Sequence, residues 1–505
     1  MAQVVMSLLN ASAVGNPLAN AIAKPDWTTA PAGNPFVDGW YADPDVAIYQ
    51  DEYWVFPTYS DAYEKQTFMD AFSSPDLVNW TKHPNILTID NVKWANKAVW
   101  APAPVARNGR YFLYFAANDI QEDEDQAGAI GGIGVAVADN PQGPYIDAIG
   151  KPLIGHYYNA AQPIDQGVFI DDDGQAYMYY GGHSHANVAK LNEDMISIGA
   201  FDDGTQFKEI TPVDYVEGSL MIKRNGTYYF MWSEGGWMGS DYSVAYAMTN
   251  SPTGPFNRKG KILQEDPAVA KGCGHHGIIN VPGTDIWYIV YHRRPLSETA
   301  ANHRVLAYDR MYFNDDGTIA PVKLGVEDNF ADGNAIGWKS YGGDWSVVDQ
   351  RLTISGEFGG LAMLDTQFGN LTFDATIALP RADGQRVGGE AGLLFRASNI
   401  TSPSMFVGYF AAISPAGNVS LKSLSASGWE VLQSSAVAAT SGEEYKVRVI
   451  ANGPGLQVFV DDLETPKISV NVADGNNIIT GATGVGAFGT AARFGYVSNK
   501  GLSST

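Results

Sequence analysis

Short apolar runs, some alternating and some continuous, follow one another along the whole chain, broken by Gly, Pro, Asn and Asp and without a helical period between them. This pattern predicts many short strands joined by tight turns. Five of the runs are dense in aromatic residues: Glu52 to Phe56, Tyr111 to Phe115, Tyr177 to Tyr180, Tyr228 to Trp232 and Trp287 to Tyr291. Measured on Trp54, Phe112, Tyr177, Tyr229 and Tyr288, they recur at intervals of 58, 65, 52 and 59 residues. A shorter alternating segment follows each one: Phe68 to Phe72, Ile133 to Val137, Val188 to Leu191, Val244 to Ala247 and Arg304 to Ala307. Two of these lead into similar turns, Asp139 to Tyr145 and Asn250 to Phe256, which lie 111 residues apart, about two repeats.

Multi-stranded repeats of this length predict an all-β fold with a five-bladed β-propeller. In such a ring the first strand of each blade lines the central channel. Residues just ahead of the second strand should therefore converge on one axis. Asp43, Trp100, Asp165, Glu217 and His275 each precede the repeat aromatic by 11 to 13 positions, so they are expected to share a pocket. After about residue 325 the repeat stops. Period-two strands such as Phe373 to Leu379, Tyr445 to Val449 and Leu456 to Val460 then predict a jelly-roll-like antiparallel β-sandwich. The expected organisation is an N-terminal segment over 1–26, a propeller over 27–325 and a sandwich over 326–505, with Gly317 to Asp328 as the link.

Composition narrows the functional classes. The 505 residues exceed what one core usually supports. A formal charge of −23 argues against nucleic acid and anionic membranes as partners. No apolar run reaches the roughly 18 residues of a membrane helix, so a soluble protein is expected. Cys273 is the only cysteine, which excludes an internal disulfide. The stretch Val4 to Val14 and the end Ala21-Ile22-Ala23 read as a signal-peptide remnant, although no Lys or Arg precedes them. Sequons at Asn10, Asn79, Asn225, Asn370, Asn399 and Asn418 lean the same way, toward a secreted, extracellular protein.

Three of the five convergent residues are carboxylates. Hydrolysis of a glycosidic bond needs one carboxylic acid to protonate the leaving oxygen, one carboxylate to activate water or attack directly, and an aromatic surface for the sugar. A further carboxylate nearby raises the proton affinity of the acid. Asp43, Asp165 and Glu217 beside Trp100 supply this set. Asp45 and the run Asp171-Asp172-Asp173 read as structural, the latter as a solvated hairpin turn.

The motifs Trp40-Tyr41-Ala42-Asp43-Pro44-Asp45, Trp100-Ala101-Pro102, Ile164-Asp165 with Val168 to Gly174, Val216-Glu217-Gly218, Gly274-His275 and Tyr288 to His292 together resemble glycoside hydrolase family 43. The resemblance covers about residues 27 to 325. It implies a five-bladed propeller that inverts the anomeric centre, with Asp43 as general base, Glu217 as general acid and Asp165 as orienter and pKa modulator of the acid. It also implies that Trp100 forms the floor of the sugar subsite and that Arg304 contacts sugar hydroxyls. His275 would lie near a channel calcium ion, with no organic cofactor required. A propeller followed directly by a sandwich is similar to fungal arabinoxylan arabinofuranohydrolases of that family. The implied activity is exo-acting release of α-L-arabinofuranosyl side chains from arabinoxylan in hemicellulose breakdown, including the O3-linked arabinose of doubly substituted xylose. A β-xylosidase or arabinanase is the alternative, with loop residues Tyr157, Tyr158 and Trp237 expected to decide among them.

Plainer readings stand beside these. Trp100 also suits a core, Arg304 an ion pair between blades and His275 a packed core. Cys273, His275, His276 and His292 match no standard zinc spacing. His183 and His185 are expected at the pocket mouth. A reading from another class is a non-catalytic polysaccharide-binding protein presenting Trp338, Trp345 or Trp429. No protein partner is implied.

Overall fold

Each aromatic run becomes the second strand of its own antiparallel sheet, and the five sheets follow the five repeats. The structure is a computed structural model that describes residues 33–355, 359–379, 388–437, 444–473 and 477–502. The signal-like segment and Asn10 lie outside the described residues. The innermost strands are Tyr41–Tyr49, Trp100–Arg107, Gly167–Ile170, Glu217–Arg224 and Lys271–Asn280. Blades one to four have four strands in sequence order, and blade five has three. The paired turns at 139–145 and 250–256 both join the third strand of a blade to its fourth.

The aromatic runs are continuous, not alternating, because both faces of each blade are covered. Successive side chains of a strand point to opposite faces, and each face meets a different neighbour. Trp54 and Phe56 pack with Leu113 and Phe115 between blades one and two. Phe112 and Tyr114 meet Met178 and Tyr180 between two and three, and Tyr177 and Tyr179 meet Phe230 and Trp232 between three and four. Tyr229 and Met231 meet Ile289 and Tyr291 between four and five, and Tyr288 and Val290 meet Tyr53 and Val55 at the seam between five and one. No ladder joins one blade to the next among the described residues, so these interfaces hold the ring. Burying one such side chain contributes roughly 1.5 to 3 kcal/mol.

The seam is also tied by polar contacts. Asn34 Nδ2 donates to the Tyr308 carbonyl at 2.9 Å, and the Tyr308 amide donates to Asn34 Oδ1 at 3.1 Å. The Tyr41 amide donates to the Arg304 carbonyl at 2.8 Å.

The last propeller strand is Val305–Met311, and Val326–Asp328 already pairs with Ala492–Gly501 of the C-terminal β domain. That domain has antiparallel sheets of eight and seven strands. Leu371–Ala378 alternates buried and half-buried residues along its length. Its Phe373 and Ile377 share one core with Leu393, Phe395, Ala411 and Ile413 of the other sheet. The same core continues into blades four and five through Ile319, Val322 and Phe330. Ser297 donates its amide and hydroxyl to Asp365 Oδ2, both at 2.9 Å, across the junction.

Candidate active site

One backbone device repeats at the entry of every innermost strand. Asp43, Ala101, Asp165, Gly218 and His275 all have left-handed φ, at 48°, 45°, 54°, 71° and 37°. Each lies four residues before the strand partner of the repeat aromatic, as the pairs Ala47 with Trp54, Val105 with Phe112, Phe169 with Tyr177, Ile222 with Tyr229 and Ile279 with Tyr288 show. Trp100 and Glu217 thus sit one residue earlier than Asp43, Asp165 and His275 in the structural repeat. In blades two and four the left-handed position itself is taken by Ala101 and Gly218. Non-glycine residues with positive φ are uncommon and costly, and here three of them carry chemistry.

Four of the five expected residues, Asp43, Trp100, Asp165 and Glu217, line one cavity of about 270 Å³ together with Arg304 and Trp237. Its other walls are Tyr63, Gln66, Asp119, Gln121, Gln162, Ile164 and His183. Trp100 donates its indole N–H to Gln66 Oε1 and meets the Tyr63 ring edge to face at 4.8 Å. The Arg304 guanidinium lies 5.2 Å from the centre of the Trp237 ring. His275 does not line the cavity. It lies beneath, with Nδ1 3.3 Å from Asp165 Oδ2 and 3.8 Å from Asp43 Oδ1.

The two outer carboxyls have opposite surroundings. Burial would raise Asp43, but Arg304 Nη1, donating at 2.9 Å, and the charge of His275 outweigh it and hold the carboxyl well below the usual carboxylate range. The Asp43 amide donates to His292 Nδ1 at 3.1 Å, so that nitrogen carries no proton. Burial pushes His292 down to about 4, and this neutral ring positions Asp43 more than it charges it. For Glu217, burial and then the charge of Asp165 raise the carboxyl to about 8, although Tyr242 donates to its Oε1 at 2.9 Å. Burial opposes the charge of His275, yet Asp165 and Asp43 lift it to about 9.

Tyr242 was not among the sequence candidates, although its repeat position was legible. It lies six residues before Met248, the partner of Tyr229, as Arg304 lies six before Arg310, the partner of Tyr288. One residue ahead of the third strand, blade four thus supplies a hydroxyl to Glu217 and blade five a guanidinium to Asp43. Gln66 and His183 border the same step in blades one and three.

Other expectations meet a different structure. Tyr158 is absent from the cavity: its ring stacks on Phe207 at 3.9 Å and 15°. Tyr157 donates to the Ile120 carbonyl at 3.1 Å, and His185 faces Glu209 at 3.3 Å on the surface. Cys273 is buried in the core between blades four and five, and His276 Nε2 lies 3.3 Å from Met231 Sδ. Among the described residues no three His, Cys, Asp or Glu side chains converge as metal ligands. His275 is engaged by Asp165. Trp338 and Trp345 spend their indole N–H groups on Asp328 Oδ2 at 2.8 Å and the Gly342 carbonyl at 3.0 Å. Trp429 is 41% exposed and packs by its edge on Phe406 and Phe488.

Both parts of the chain match known families. Residues 32–319 match the model of glycosyl hydrolases family 43, and residues 326–494 match that of the 3-keto-alpha-glucoside-1,2-lyase-like domain. The chain is 46% identical over 330 residues to a beta-D-galactofuranosidase of Aspergillus niger, covering 62% of this chain and 91% of that protein. It is 30% identical over 378 residues to an arabinoxylan arabinofuranohydrolase of Paenibacillus polymyxa, covering 63% and 54%. A solved alpha-L-arabinofuranosidase from Clostridium thermocellum is 32% identical, with 58% and 96% covered and a TM-score of 0.47.

Proposed function

Because this chain belongs to glycosyl hydrolases family 43, we propose that its pocket removes terminal furanosyl units by single displacement with inversion, with α-L-arabinofuranosyl branches of arabinoxylan as the first substrate. The observation that carries this reading is the opposed environment of two half-buried carboxyls. Asp43 is held ionised by Arg304, and Glu217 is held protonated near neutral pH by burial and Asp165. Groups whose proton affinities are pushed apart in one site divide into base and acid.

In this mechanism Asp43 takes a proton from a water molecule as its oxygen bonds to the anomeric carbon. Glu217 gives its proton to the glycosidic oxygen as the bond from that oxygen to the anomeric carbon breaks. The sugar leaves with inverted configuration, and exchange with solvent returns the proton from Asp43 and restores one to Glu217. The two carboxyls of an inverting enzyme stand about 6.5 to 9.5 Å apart, leaving room for the water. Trp100 offers an apolar floor to the ring, and Arg304 offers donors to its hydroxyls. No step requires a metal ion.

A second reading, a β-D-galactofuranosidase, is supported by the 46% identity to the Aspergillus niger enzyme. α-L-Arabinofuranose and β-D-galactofuranose present the same ring configuration and differ in the exocyclic arm. Secretion is supported by the sequons, since Asn79, Asn225, Asn370, Asn399 and Asn418 are all exposed. A panel of 4-nitrophenyl α-L-arabinofuranoside, β-D-galactofuranoside and β-D-xyloside, with proton NMR of the first sugar released from arabinoxylan, tests the proposal. Release of arabinose with inverted configuration is expected. Activity on the galactofuranoside alone selects the second reading, whereas xylose as the only product, or retained configuration, overturns both.

A further inference from the structure

We propose that Tyr242 is a positioning residue for the reaction: its hydroxyl holds Oε1 of Glu217 and so leaves Oε2 as the oxygen that carries the proton given to the leaving group. The inference rests on Glu217 being the acid.

The hydrogen bonds around the acid begin at a fixed donor. A backbone N–H can only donate, and that of His275 reaches Ser233 Oγ at 3.1 Å. The Ser233 hydroxyl neighbours that of Tyr242. Tyr242 in turn donates to Glu217 Oε1 at 2.9 Å. A carboxyl oxygen that receives this bond is not the one bearing the proton, so the neutral acid carries it on Oε2. The chain runs from blade five to blade four.

Tyr242 is also fixed in place. It is 1% exposed, and its ring lies parallel to that of His292 at 5.6 Å and 11°. His292 receives the Asp43 amide, so one stacked pair braces acid and base together. Two glycines beside the reacting residues make room for this network. A Cβ on Gly274 would stand 2.2 Å from the Tyr242 ring, and one on Gly218 2.7 Å from Ser233 Oγ. The Glu217-Gly218 and Gly274-His275 dipeptides thus have a physical reason: each glycine is the space filled by the next member of the chain.

Tyr242→Phe keeps the ring and its stacking and deletes only the hydroxyl. With methyl α-L-arabinofuranoside, whose leaving group needs a proton, kcat should fall about tenfold while KM stays within about twofold. With 2,4-dinitrophenyl α-L-arabinofuranoside, whose leaving group needs none, the fall should be several times smaller. The alkaline limb of the pH profile should move to higher pH, because the lost bond favoured the ionised carboxyl. Equal loss on the two substrates, or an unmoved alkaline limb, overturns the proposal, since a merely structural defect would do just that. Glu217→Gln measured on the same pair separates the two claims. If it does not lose more activity on the poor leaving group than on the good one, the assignment of the acid falls. If it does and Tyr242→Phe does not, only the role of the tyrosine falls. Adding Tyr242→Phe to Glu217→Gln should change nothing further, and an additive loss counts against the proposal.

Discussion

The two sides of the pocket start from the same functional group and end in opposite protonation states. Asp43 and Glu217 are both carboxyls at the head of an innermost strand, and burial pushes both upward. What differs is the sign of the nearest charge. Asp43 meets Arg304 from blade five, and Glu217 meets the charge of Asp165 from blade three. Burial therefore sets the strength of the electrostatics, and the neighbouring blade sets its direction.

The largest break in this comparison removes one partner outright. Glu217→Gln should cost on the order of 10³-fold in kcat on alkyl glycosides, measured by steady-state kinetics, and much less on dinitrophenyl glycosides. Arg304→Met should come next. Without the guanidinium, burial dominates and the pKa of Asp43 rises, so the base is protonated at a higher pH. The acid limb of the kcat/KM profile should move up, with a loss of about a hundredfold at pH 5. Asp165→Asn should have the smallest effect of the three. Burial of Glu217 stays but the repelling charge goes, so its pKa falls from about 8 and the alkaline limb moves down, with a loss of about tenfold on that side. If Arg304→Met and Asp165→Asn moved the same limb, the division of the pocket into a base side and an acid side would fail.

Much of this was legible in the chain. The spacing of Trp54, Phe112, Tyr177, Tyr229 and Tyr288 predicts the five blades, because each blade buries both faces of one aromatic strand. The offset ahead of those strands predicts Asp43, Trp100, Asp165 and Glu217 in one cavity. The remainder depended on contacts between blades. Tyr242 shares its repeat position with Arg304, but only the fold shows that one reaches Glu217 and the other Asp43. Tyr158 looked equally suited to the pocket until the packing of Phe207 against it was visible. The one-residue difference of Trp100 and Glu217 from Asp43 is invisible to a simple offset, because a bulge interrupts the pairing at the same step in blades one, two and four, between Ala42 and Asp45, Trp100 and Ala103, and Glu217 and Leu220. Such bulges re-aim side chains without changing the strand pattern.

The seam of the ring gives the base side a weakness that the acid side lacks. Asp43 belongs to the first blade and Arg304 to the last, and the Tyr41 to Arg304 hydrogen bond crosses the same junction. Glu217 and Tyr242 both belong to blade four. In the proposed mechanism a slight parting of the first and last blades would thus disarm the attacking water while the proton donor stays intact. Turnover is then a finer gauge of whether the circle is closed than any measure of its strand content, and a fastener placed across that junction would act on catalysis and heat resistance at once.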